Sequence, residues 1–195
     1  MSHRLGVARF TGEVYPGLRT HFTALAESQT PTTLFVTCSD SRVDPALITQ
    51  SLPGDLLVLR NVGNFVPAHG CDPASAAVVE YALGFLKIPR IVVCGHSNCG
   101  AMAGLLHPET IEHLAAVARW VEQADAVRAR VAHIPPEQRW LAAVRTNVAY
   151  QIEMLKTHPI VAAALQDGLL HIEGWMYDIG DGRIDVLVEE GVTSE

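Results

Sequence analysis

Two short segments carry residue types that together could hold a metal: Cys38-Ser39-Asp40-Ser41-Arg42 and, 58 residues after Cys38, His96-Ser97-Asn98-Cys99. Two thiolates and one imidazole make a soft donor set suited to Zn²⁺. Three protein ligands leave the fourth tetrahedral position free for water, as in a catalytic site, whereas closed structural sites use four dedicated ligands. Asp40 and Arg42 add a carboxylate and a guanidinium, charges that are costly beside a strand end unless they pair or meet a metal. A lone His-x-x-Cys is more often a core histidine near a core cysteine; the two halves together carry the weight.

Each half follows an apolar, β-rich run, Thr33–Thr37 before the first and Ile91–Cys94 before the second. Ligands at the carboxyl ends of two strands of one sheet can converge despite a long gap in sequence. A second strand is expected over Asp55–Arg60, a third over Arg90–Gly95, and a fourth from Gly168, turned by Asp181-Gly182 into a hairpin with Ile184–Val188. Between them, helical patterns run over Phe10–Ser28, from Asp72-Pro73 to about Lys87, over Ile111–Ala132 and Pro136–Thr157, and briefly after Pro159. This alternation predicts an α/β fold: a mostly parallel central sheet with an antiparallel edge strand, flanked by helices. The whole chain, 1–195, reads as one domain with an N-terminal helical arm over about 1–30.

Nearly half of the 195 residues are hydrophobic, enough for a sizeable core. Fourteen basic residues stand against twenty-one acidic, a net charge of −7, with no Lys/Arg stripe, so nucleic acid and anionic membrane are poor partners. No signal-peptide core and no run of eighteen apolar residues is present, and a cytoplasmic location is expected. There the four cysteines favour metal ligation over disulfides. Cys71 and Cys94 read as small buried hydrophobes, Trp120, Trp140 and Trp175 as core or interface aromatics, and the residues around Met102 as helix packing behind the ligand loop.

The Cys-Ser-Asp-Ser-Arg segment with Gly95-His-Ser-Asn-Cys-Gly100 resembles the β-class carbonic anhydrases. The likeness extends to Pro53-Gly-Asp, Arg60-Asn61 with Gly63-Asn64, Glu80-Tyr81, and Gly174-Trp175 with Tyr177-Asp178. It covers essentially the whole chain and is most similar to the plant-like bacterial branch. The resemblance implies Cys38, His96 and Cys99 as ligands of one Zn²⁺ per subunit, and Asp40–Arg42 as the family's dyad. It further implies Gln29 as the polar residue that orients substrate, Leu57, Val62 and Tyr81 as lining of a small apolar pocket partly across a dimer interface, and the Gly100 N–H as a donor to bicarbonate. Leu57 replaces a position often aromatic in plant members, which would widen the pocket.

The implied activity is reversible hydration of CO₂ to bicarbonate and a proton by zinc-bound hydroxide, in a homodimer or higher homo-oligomer. CO₂ is a weak electrophile, and zinc can supply hydroxide by lowering the pKa of water to roughly 7. Asp40 would orient that oxygen, and Arg42 would keep Asp40 ionised and off the metal; without Arg42, Asp40 could itself take the open position. Relatives that hydrolyse carbonyl sulfide or carbon disulfide share these ligands and provide the alternative. A non-catalytic zinc protein is disfavoured because only three dedicated ligands exist. Another bacterial branch places Trp and Gly three and one residues before the first ligand, beside an inhibitory bicarbonate pocket. This chain has Phe35 and Thr37 there, so no such pocket is expected.

Overall fold

The chain divides into two compact units, Met1–Thr30 and Pro31–Glu195; the computed structural model describes residues 2–191. In the first unit, α1 (His3–Arg9) runs through a π-helical turn at Phe10–Val14 into α2 (Tyr15–Leu25). Pro16 lacks the N–H that would bond back one turn, and the helix widens there. The helix therefore begins earlier and ends sooner than the expected Phe10–Ser28. Tyr15 stacks on Phe22 with ring centroids 5.4 Å apart, and Phe10 meets both edge-on.

The second unit is built on a five-stranded sheet of β1 (Thr33–Cys38), β2 (Leu56–Asn61), β3 (Arg90–His96), β4 (His171–Tyr177) and β5 (Ile184–Gly191). Its order is β2-β1-β3-β4-β5; the first four strands are parallel and β5 is antiparallel to β4, as the alternation of elements predicts. Strand β4 starts at His171 rather than Gly168, and β5 continues past Val188 to Gly191.

One face of β1, β3 and β4 (Leu34, Val36, Ile91, Val93, Ile172) is covered by α4 (Pro73–Glu80), α8 (Pro136–Leu155) and α9 (Pro159–Gln166). Asp72 caps α4 by accepting from the amides of Ala74 and Ser75. Helix α8 crosses the sheet where Gly95 and Gly174 leave room. A Cβ at either position would lie 2.7 or 2.8 Å from a methyl of Val148, closer than side chains pack.

The stretch expected as one helix over Ile111–Ala132 is broken into α6 (Ala115–Val121) and α7 (Asp125–Val131), joined by a 3₁₀ turn at Glu122–Ala124. The helix also starts only at Ala115: Ile111 folds back onto the bare backbone of Gly104 in α5 (Gly100–Leu106), within 3.0 Å of where a Cβ would stand. A short helix the periodicity does not announce, α3 (Pro45–Thr49), is capped by Asp44, which accepts from the Leu47 amide. Among the described residues, no helix is long and apolar enough to cross a membrane.

Candidate metal centre

Cys38 ends β1 and His96 ends β3, and these strands are neighbours with Thr37 opposite Cys94. Parallel pairing therefore places both side chains at the carboxyl edge of the sheet, about one inter-strand spacing apart. Asn98 adopts a left-handed conformation, φ 55°, which turns the chain so that Cys99 faces back toward His96. Cys99 is also the N-cap of α5. The three ligand atoms lie within 4.8 Å of one another, and all three residues are buried.

The chemistry of this donor set fits a cation. The His96 Nδ1 lies 2.9 Å from the Ser97 carbonyl; donating there leaves Nε2 with its lone pair free, the arrangement seen in metal-binding imidazoles. That Nε2 is fully buried with no hydrogen-bond partner. An orphaned buried polar atom costs about 1–3 kcal/mol. The two thiols divide one charge. Cys38 is brought down to about 4, first by the hydrogen bond from Cys99 and then by the amides of Gly63 and Asp40, against the cost of burial. Cys99 is pushed up by the Cys38 thiolate and by burial. A soft dication would displace the remaining proton and satisfy all three atoms.

Asp40 stands beside this cluster, its Oδ2 3.8 Å from His96 Nε2, too far for a hydrogen bond. Arg42 grips it in bidentate fashion, Nε to Oδ1 at 2.9 Å and Nη2 to Oδ2 at 2.7 Å, and also donates to the Asn98 carbonyl at 3.2 Å. The guanidinium hydrogen bonds hold the Asp40 carboxyl well below the usual carboxylate range, against a desolvation cost. The loop is braced from behind by Arg60, whose side chain donates to the carbonyls of Cys38 and Asp40 at 3.1 and 2.8 Å.

A second loop, 61–66, completes the wall. The Gly63 N–H donates to Cys38 Sγ at 3.4 Å. Gly63 has φ +88°, and a Cβ there would lie 2.7 Å from the Phe65 ring, so only glycine fits. Asn61 exchanges two 2.7 Å hydrogen bonds with the Phe65 backbone. From α8, Asn147 donates to the Gly63 carbonyl, Gln151 donates to Asn147 Oδ1, and the Val66 amide donates to Gln151 Oε1. An open, largely apolar groove of about 430 Å³ borders the cluster, lined by Ser39, Asn61, Val62, Ala116, Val117 and Trp120.

The structure thus brings together Cys38, His96, Cys99, Asp40 and Arg42, with Gly100 next to Cys99 as the first residue of α5 and Val62 on the groove. It places Leu57 and Tyr81 elsewhere in the subunit: Leu57 on the edge strand β2 against the main core, Tyr81 stacked 5.2 Å from Phe85 and 40% exposed. Gln29 belongs to the first unit. Cys94 is buried as expected, but Cys71 is exposed, since it sits in the turn leading to α4 rather than on a strand. The tryptophans, expected as packing residues, also act as donors: Trp120 Nε1 to the Val62 carbonyl and Trp140 Nε1 to the Cys99 carbonyl. Arg60 entered the sequence reading only as part of the Arg60-Asn61 likeness, with no role, and Asn147 and Gln151 were not singled out.

A family model described as carbonic anhydrase matches residues 33–184. The carbonic anhydrase of Pseudomonas aeruginosa is 47% identical over 186 residues, spanning 93% of this chain and 84% of that protein. The solved β-carbonic anhydrase CcaA superposes with a TM-score of 0.91 at 39% identity, covering 98% of this chain and all of that one. A tetrameric β-carbonic anhydrase of Sordaria macrospora superposes with a TM-score of 0.81 at 29% identity, over 97% and 100% of the two chains.

Proposed function

This chain belongs to the β-carbonic anhydrase family, enzymes of the zinc lyase class, and from that premise we propose that it interconverts CO₂ and water with bicarbonate and a proton. The observation that carries the reading is the buried Cys38–His96–Cys99 cluster, with its unpartnered imidazole nitrogen, beside a carboxylate locked by arginine. Cys38, His96 and Cys99 would hold one Zn²⁺ per subunit. When bound there, Zn²⁺ supplies the Lewis acidity that makes hydroxide available from water near neutral pH.

The remaining work falls to the chain's own residues. Asp40 accepts a hydrogen bond from the attacking oxygen and directs its lone pair at carbon. Arg42 keeps Asp40 ionised and turned away from the ligand cluster. Gly100, the first residue of α5, has an N–H with no intrahelical partner and is available to bicarbonate. Val62 offers an apolar wall to CO₂. Gln29 from the N-terminal arm orients substrate, and Leu57 and Tyr81 line the pocket across a subunit boundary, which makes a homo-oligomer the working form. Thiols that serve as metal ligands must stay reduced, and the cytoplasm is the compartment this reading assigns.

Stopped-flow CO₂ hydration measured together with zinc content on one preparation tests the reading. Turnover proportional to bound zinc is expected. Stoichiometric zinc without hydration at pH 8.5, or sulfide release from carbonyl sulfide exceeding CO₂ turnover, would overturn it.

A further inference from the structure

The peptide between Val62 and Gly63 has its two ends engaged on opposite sides. Its carbonyl accepts from the Trp120 indole at 2.7 Å, and its N–H donates to Cys38 Sγ at 3.4 Å. A trans peptide is planar with its C=O and N–H pointing opposite ways, so the two bonds share one rigid, conjugated unit. The Trp120 ring is held in turn by stacking on Phe65, centroids 5.8 Å apart at 23°. The indole of Trp120, on helix α6, is thereby linked to a candidate ligand through that peptide.

We propose that Trp120 is a positioning residue for the metal centre, acting through the Val62–Gly63 peptide to set the charge that the Cys38 sulfur presents to the cation. The proposal rests on the metal reading above. A hydrogen bond accepted at a carbonyl draws density from the amide nitrogen and makes its N–H a stronger donor. A stronger N–H···S bond lowers the sulfur lone pair and reduces the charge it passes to a bound cation, as outer partners of metal ligands do. The bond also fixes the rotation of the peptide plane, which Gly63, at φ +88° and without a side chain, could not hold alone.

Co²⁺ is the probe, because its sulfur-to-metal charge-transfer band reports the energy of the thiolate lone pair independently of turnover. Trp120→Phe keeps a ring to stack on Phe65 and removes the donor. The variant should bind one Co²⁺ per chain and show that band at longer wavelength than the wild type. Full Co²⁺ binding with the band unmoved would overturn the proposal and leave the metal reading intact. Should Trp120→Phe not fold, unmodified protein with isotope-labelled glycine and an NMR-active cadmium isotope decides instead. A scalar coupling between cadmium and the Gly63 amide proton supports the relay, and its absence refutes it. Failure of the wild type to bind either ion would sink the metal reading and the relay with it.

Discussion

Asn147 sits fully buried on α8, 84 residues along the chain from the glycine whose carbonyl it holds. Replacing it by alanine removes the donor to Gly63 O at 3.0 Å and the acceptor of the Gln151 Nε2–H at 2.8 Å. Both orphaned groups stay inside, since Gln151 is only 2% exposed and the Gly63 region is packed on Phe65 and Ala101. At about 1–3 kcal/mol for each unsatisfied buried group, the loss comes to about 4 kcal/mol. At about 2–4 °C per kcal/mol for a chain of this length, melting should fall by roughly 8–16 °C. Calorimetry of zinc-loaded protein is the assay. Glu153→Gln, at an exposed ion pair with Arg130, serves as control and should stay within about 1 kcal/mol of wild type. The double variant Asn147→Ala/Gln151→Ala should cost less than the sum of its parts by about 1–3 kcal/mol, because the first change already breaks their shared bond. A melting point within about 2 °C of wild type, or strictly additive losses, would refute the claim that this network holds the loop.

Arg42→Ala should lower CO₂ turnover about 10–100-fold at unchanged zinc content; undiminished turnover would remove Arg42 from the mechanism. Because Arg42 holds the Asp40 carboxyl well below the usual range, wild-type activity should show no limb from Asp40 between about pH 5 and 9. The stabilisation of the charged form is full above the unfolded value of about 3.9 and is lost as pH falls through the lower folded one. Dialysis against a chelator should abolish hydration and added Zn²⁺ restore it; full activity in verified metal-free protein would end the zinc reading. Bicarbonate should inhibit without cooperativity, because Phe35, buried edge-on against Trp175, and Thr37, which donates to the Cys94 carbonyl, stand where the other branch has Trp and Gly. A sigmoidal inhibition curve at fixed pH would contradict this.

The sheet was legible because its strands are runs of apolar, β-branched residues too short for helices and closed by Gly, Pro or Asp. The ligand halves were legible because strand ends of one parallel sheet meet at one edge, whatever the gap between them. The bracing was not. Asn147 and Gln151 lie on α8 among residues that read equally well as its solvent face, and Trp120 and Trp140 read as simple packing. Asn147, Trp120 and Trp140 acquire meaning only from carbonyls 41 to 84 residues away, and Gln151 from the Val66 amide 85 residues away. The late start of the helix, at Ala115 rather than Ile111, was hidden for the same reason: Ile111 packs on Gly104, which has no side chain and lies on another helix. Local periodicity shows which face of an element is apolar, but not which distant backbone group will need a donor.

The electrostatic design follows from which charges are left over. Cys38 is held as a thiolate by Cys99 and the neutral amides of Gly63 and Asp40, while the nearby guanidinium is already bound to Asp40 by two hydrogen bonds. A lysine or arginine aimed at the sulfur would neutralise it and compete with any metal. Backbone amides favour the thiolate without cancelling its charge, because a dipole contributes no net positive charge. The cluster therefore keeps an excess negative charge in dry surroundings, and a cation is the partner that removes it. Converting Gly63 to proline would delete one such amide while adding ring atoms where a Cβ already meets Phe65 at 2.7 Å. For that reason the loop's function is better probed from Trp120 and Asn147, which hydrogen-bond to its carbonyls.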